Sequence, residues 1–180
     1  MLILFVIILL SSLKGYSPRR QLPLLSTSQS LISDPISIPK EEVSYLKHHI
    51  TFSRASYCID GLDTWKCTTC DARFKVQNIV FAGEFESTVF GYVGYAKSIH
   101  TIVVVFRGTR TLDGWVQDLK FVKPDCPFPN APNGAKVHLG FLEAWKFLKP
   151  QIVEALLKLV AMYPSSHLLI TGHSLGWLKN

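Results

Sequence analysis

Nowhere in the 180 residues is there an apolar run near the ~20 residues that a membrane-spanning helix needs; the longest is Leu2 to Leu10. Charge is sparse, at 18% Asp, Glu, Lys and Arg. The 19 basic residues outnumber the 13 acidic ones but are scattered rather than gathered on one stripe, which argues against a nucleic-acid surface. A mildly basic balance suits attraction to an anionic lipid interface instead. There are only four cysteines, and the Cys67-x-x-Cys70 pair has neither a second pair nor a suitably spaced histidine pair beside it. That excludes the usual zinc-ligand sets, and no metal or organic cofactor is implied.

What is present begins with that short apolar run. Followed by Ser11-Ser12-Leu13-Lys14-Gly15-Tyr16-Ser17, it resembles a secretory signal peptide over residues 1–17, although no Lys or Arg precedes it. Export places the cysteines where disulfides persist, so a local Cys67–Cys70 bridge is expected, with the state of Cys58 and Cys126 left open. Residues 18–39 are rich in Ser and Pro, carry Arg19-Arg20 and show no sustained period, as a linker or pro-segment would. The remaining residues, 40–180, form one domain.

Lys40 to Tyr57 has apolar residues at Val43, Leu46 and Ile50 behind a Pro39-Lys40-Glu41-Glu42 start, which predicts an amphipathic helix packed on the core. Lys75 to Ala82 and Val89 to Ala96 read as neighbouring strands. The Ile-Val-Val-Val-Phe run within Thr101 to Phe106 reads as a strand covered on both faces. Prolines and glycines from Lys123 to Gly134 predict a loop. Phe141 to Met162 is helical, with Ile152, Val153, Leu156, Leu157 and Val160 on one face, Glu154 placed to pair with Lys158, and Pro150 expected to kink or split it. Strands, a long helix and a final strand from His167 to Thr171 make an α/β sheet.

That final strand runs into Gly172-His173-Ser174-Leu175-Gly176. A serine is presented as a nucleophile where the chain turns sharply from a buried strand into a helix, and the close backbone approach favours glycine two residues to either side. The Leu175 N–H would then sit at a helix start, where backbone donors bind an oxyanion. The pentapeptide alone fits a plain Gly/Ser turn equally well; its place after an apolar strand favours the nucleophile elbow.

Four blocks occur in a specific order: Ser56-Tyr57-Cys58 with Trp65-Lys66-Cys67-Thr68-Thr69-Cys70-Asp71; Ile102-Val103-Val104-Val105-Phe106-Arg107-Gly108-Thr109; Val137-His138-Leu139-Gly140-Phe141; and Thr171-Gly172-His173-Ser174-Leu175-Gly176. Together they resemble the N-terminal half of a class 3, fungal-type triacylglycerol lipase, over roughly Glu41 to Gly176. The resemblance implies an α/β-hydrolase fold with a mostly parallel sheet and covering helices, its C-terminal part missing. It also implies a lipid ester substrate met at a lipid–water interface. Ser174 would be the nucleophile, Thr109 and the Leu175 N–H the oxyanion hole, and Asp118 the acid that orients the Thr109 hydroxyl. The apolar spacing of Leu112, Trp115 and Val116 would be the lid, and Cys67–Cys70 a local bridge. Cys58 pairs near the C-terminus in the fungal enzymes, so here it would be free or paired with Cys126.

In that fold the order is serine, acid, histidine, and neither partner is found in Leu175 to Asn180. Without them turnover is expected to fall on the order of 10⁶-fold. Trp177 also departs from the family's Gly-Gly-Ala continuation, as a truncated or mis-joined chain would. With later strands missing, the elbow strand would be an exposed apolar edge prone to self-association. The alternatives are a non-catalytic lipid-binding remnant and a phospholipase or feruloyl esterase on the same scaffold.

Overall fold

The computed structural model describes residues 38–58, 60–84, 86, 89–108, 122–128 and 131–173. Helix α1, Lys40–Ala55, follows Pro39 and carries Glu41 and Glu42 in its first turn and Arg54 in its last, the charge order that the helix dipole favours. Strands β1 (Val76–Ala82), β2 (Gly91–Ala96) and β3 (Thr101–Phe106) come next, then helix α2 (Leu139–Met162) and strand β4 (His167–Gly172). The sheet order is β1-β2-β3-β4.

The α/β architecture is as expected, but the expectation of a mostly parallel sheet needs correcting for the described residues. β1–β2 and β2–β3 are antiparallel and only β3–β4 is parallel. Connection length explains this. A short segment joins β1 to β2, and the 3-10 turn Lys97–Ile99 joins β2 to β3, so both pairs close as hairpins. The long α2 crossover returns β4 alongside β3 in the same direction.

All six residues of β3 are buried, as a strand covered on both faces requires. Ile102, Val104 and Phe106 pack toward α2 with Trp145, Leu148, Ile152, Leu156 and Leu159. Val103 and Val105 face the other way, into a core with Phe52, Ala55, Trp65, Phe74 and Tyr92. The strand alternation thus divides the molecule into helix, sheet and helix layers. Close approach of β2 and β3 depends on Gly91, where an added Cβ would meet the Val105 carbonyl oxygen at 2.7 Å.

Three other expectations change. Pro150 lies inside a continuous α2 and does not split it. Leu157, read as part of its core face, is exposed, whereas Ala155 and Leu159 are buried; the Glu154–Lys158 pair forms at 2.7 Å. On α1 the buried residues are Phe52, Ser53 and Ala55, while Leu46 and Ile50 are exposed along a groove instead of the core. The Cys67–Cys70 disulfide is present, and Cys58 and Cys126 are free thiols, so those two do not pair with each other. Among the described residues, no helix is long and apolar enough to cross a membrane, and no group of His, Cys, Asp and Glu could hold a metal ion.

Candidate active site

The candidate nucleophile and its helpers lie beyond the ends of described elements. Ser174, Leu175, Thr109, Asp118 and the lid residues Leu112, Trp115 and Val116 are all outside the described residues. The structure does give the frame that precedes both candidate segments.

β3 and β4 pair in parallel from Thr101↔His167 to Phe106↔Gly172, and the His173 N–H still reaches the Phe106 carbonyl at 3.3 Å. Residues 107–108 and 173 therefore leave the sheet side by side at its C-terminal edge, the edge at which α/β sheets hold their sites. Arg107 is buried, its N–H bonded to the Phe90 carbonyl at 2.9 Å and its guanidinium 5.0 Å from the Phe90 ring centroid.

The C-terminal part of α1 braces this edge at three places. The buried Tyr92 hydroxyl donates to the Phe52 carbonyl at 3.0 Å. Ser53 Oγ and Thr171 Oγ1 share a buried hydrogen bond of 3.1 Å. Just past the helix, the Tyr57 hydroxyl accepts from the Gly108 N–H at 3.1 Å and lies 2.9 Å from His173 Nδ1. Burial pushes the Tyr57 phenol up, while the Gly108 hydrogen bond and the Arg107 charge pull it down, so the net direction is upward. The phenol stays neutral near pH 7 and keeps its proton to donate.

His173 is exposed, with its ring 5.6 Å from that of Tyr57. One ring nitrogen is thus engaged by Tyr57, which leaves it poorly placed as a base for its neighbour Ser174. The other two histidines near the motif blocks also serve elsewhere. His138 caps α2, its Nδ1 accepting from the Gly140 N–H at 3.2 Å, and His167 opens β4 at the far end of the strand.

Beside this edge lies an open groove of about 1330 Å³. Its walls include Tyr45, Leu46 and Ile50 of α1 and the Ile170 to His173 end of β4. The mixture of apolar walls and a few polar groups suits a ligand with a long apolar part. Neither the groove nor the double role of the Tyr57 hydroxyl is legible in the sequence, because the partners lie far apart along the chain.

Comparison with known proteins agrees with this frame. The family model described as lipase (class 3) matches residues 103–176, which include most of β3, all of α2 and β4, and the Gly172 to Gly176 motif. The lipase of Rhizomucor miehei is 34% identical over 139 residues, covering 76% of this chain and 37% of the relative. The secreted mono- and diacylglycerol lipase A of Penicillium cyclopium is 35% identical over 94 residues, covering 51% of this chain and 30% of the relative. Among solved structures, the native Rhizomucor miehei lipase propeptide complex superposes with a TM-score of 0.66 at 31% identity, over 92% of this chain and 53% of that one. A triacylglycerol lipase whose catalytic centre is a serine protease triad superposes with a TM-score of 0.61 at 32% identity, over 77% of this chain and 52% of that one. The chain thus spans less than half the length of these two curated relatives. Over the part it does span, the matched sequence and the superposed frame agree, and the chain belongs to the class 3, fungal-type lipase family.

Proposed function

We propose that this chain supplies the nucleophile half of a secreted serine ester hydrolase that acts on acylglycerols at a lipid–water interface. Ser174 attacks the acyl carbonyl carbon, and the Thr109 hydroxyl and N–H together with the Leu175 N–H hold the oxyanion that forms. Asp118 orients the Thr109 hydroxyl. The segment bearing Leu112, Trp115 and Val116 covers the serine in water and turns its apolar face to lipid at an interface. The observation that carries this reading is the parallel β3–β4 pair, whose ends at Phe106 and Gly172 leave the sheet together just before Thr109 and Ser174.

The general base and its acid are the remaining requirement. Residues 175–180 contain neither, and the chain spans less than half the length of the curated relatives it matches. The signal-like residues 1–17 support export, as do relatives named as secreted lipases. Residues 18–39 serve as a linker or pro-segment.

The test is labelling by a fluorophosphonate, which reports an activated serine. A longer product with a downstream acid and histidine is expected to label at Ser174, and the 180-residue chain to label on the order of 10⁶-fold more slowly or not at all. Esterase activity in the longer product that survives Ser174→Ala would sink the assignment. The open groove walled by Tyr45, Leu46 and Ile50 favours a second reading, lipid binding without catalysis. That reading expects vesicle binding that Ser174→Ala leaves unchanged.

A further inference from the structure

We propose that the Tyr57 hydroxyl is a positioning group, a strut that fixes the spacing between the oxyanion segment and the nucleophile segment where β3 and β4 stop pairing. It rests on the hydrolase reading above.

Backbone pairing alone cannot set that spacing. The β3–β4 register ends at Phe106↔Gly172, and the last backbone contact is the 3.3 Å bond from His173 to the Phe106 carbonyl. Beyond it a single atom spans the two chains. Tyr57 Oη accepts the Gly108 N–H at 3.1 Å and meets His173 Nδ1 at 2.9 Å. Gly108 precedes Thr109, and His173 precedes Ser174. The pairing that uses every donor has the phenol proton on His173 Nδ1 and the imidazole proton on Nε2.

Geometry explains why this residue can serve. Ser53 lies in the last turn of α1 and Tyr57 two residues beyond its end, and they bond Thr171 of β4 and His173 just beyond that strand, respectively. The Ser53–Thr171 bond locks the helix to the strand, and the Tyr57 bond carries the same alignment across to β3 through Gly108. Only the second tie reaches both catalytic segments.

Tyr57→Phe keeps the ring contact and removes the hydroxyl. In the full chain, hydrogen exchange at the Gly108 N–H is expected to rise about fivefold, the value of one net hydrogen bond, while amides within β2 and β3 stay as in wild type. Ser53→Ala is expected to leave Gly108 exchange unchanged. Wild-type exchange at Gly108 in Tyr57→Phe overturns the proposal. So does a uniform rise across β2 and β3, which would mark a general stabiliser, or an equal rise in Ser53→Ala. Where wild type is labelled by fluorophosphonate, Tyr57→Phe is expected to label about tenfold more slowly, and an unchanged rate overturns the positioning role. A wild-type chain that does not label counts against an activated serine in this chain, and Gly108 exchange then decides the strut.

Discussion

Helices α1 and α2 cover opposite faces of one sheet and do so in different ways. α2 turns Phe141, Leu142, Trp145, Leu148, Ile152, Ala155, Leu156 and Leu159 into the core. α1 buries only Phe52, Ser53 and Ala55, all near its end, and leaves Tyr45, Leu46 and Ile50 between 48% and 65% exposed. Both helices carry an apolar stripe. One stripe is closed by the sheet, and the other forms a wall of the groove beside the elbow. An apolar helix face left open beside a candidate site is suited to walling a ligand groove, whereas a closed one contributes stability.

The largest effect that can break this contrast is expected in α2. Ile152 is fully buried against the sheet, and Ile152→Ala should cost about 2–5 kcal/mol in chemical denaturation. A change near zero would mean that α2 is not the closed face. On α1, Leu46→Ser with Ile50→Ser should alter stability by no more than about 0.5 kcal/mol per site, because both side chains already meet solvent. The same pair should weaken uptake of an apolar fluorophore by the groove. A large loss of stability with unchanged dye binding would reverse the roles assigned to the two helices.

The smallest expected effect lies in the segment that buttresses α1. The Arg73 side chain donates to Asp71, with a closest contact of 2.6 Å, and holds its carboxyl at about 2, below the usual value of 3.8. A carboxyl depressed on folding contributes stability above its unfolded value and loses it as the pH falls through the folded one. The wild-type chain should therefore lose a small increment between about pH 4 and pH 2. Asp71→Asn should remove that step from an acid titration of melting temperature, and a step of unchanged size would assign it to another carboxylate.

Much of the frame was legible in the residues. The Ile-Val-Val-Val-Phe run gave β3 because continuous apolar sequence suits a strand with two covered faces, and it is buried throughout. Glu154 and Lys158 gave an i, i+4 pair on α2 that forms. The reading of Leu46 and Ile50 as core failed for a physical reason: periodicity identifies an apolar face without saying what covers it. Pro150 does not split α2, because a helix packed against a sheet can carry proline through without breaking. The strand directions in the described residues follow connection length, short for the two antiparallel pairs and long for the parallel one. Tyr57 stood only as one member of a motif block, since no local pattern reveals that its hydroxyl meets Gly108 and His173.

The parallel β3–β4 pair also has a consequence in time. The β1–β2 and β2–β3 hairpins join residues close in sequence, and such contacts form early because little chain entropy opposes them. β4 can dock only after the entire segment from Arg107 to Ser166 has been drawn back along the sheet, a closure that costs more and comes later. The meeting of Gly108, Tyr57 and His173 depends on that docking. A nascent chain would therefore build its hairpin scaffold first and acquire the geometry of its catalytic edge last.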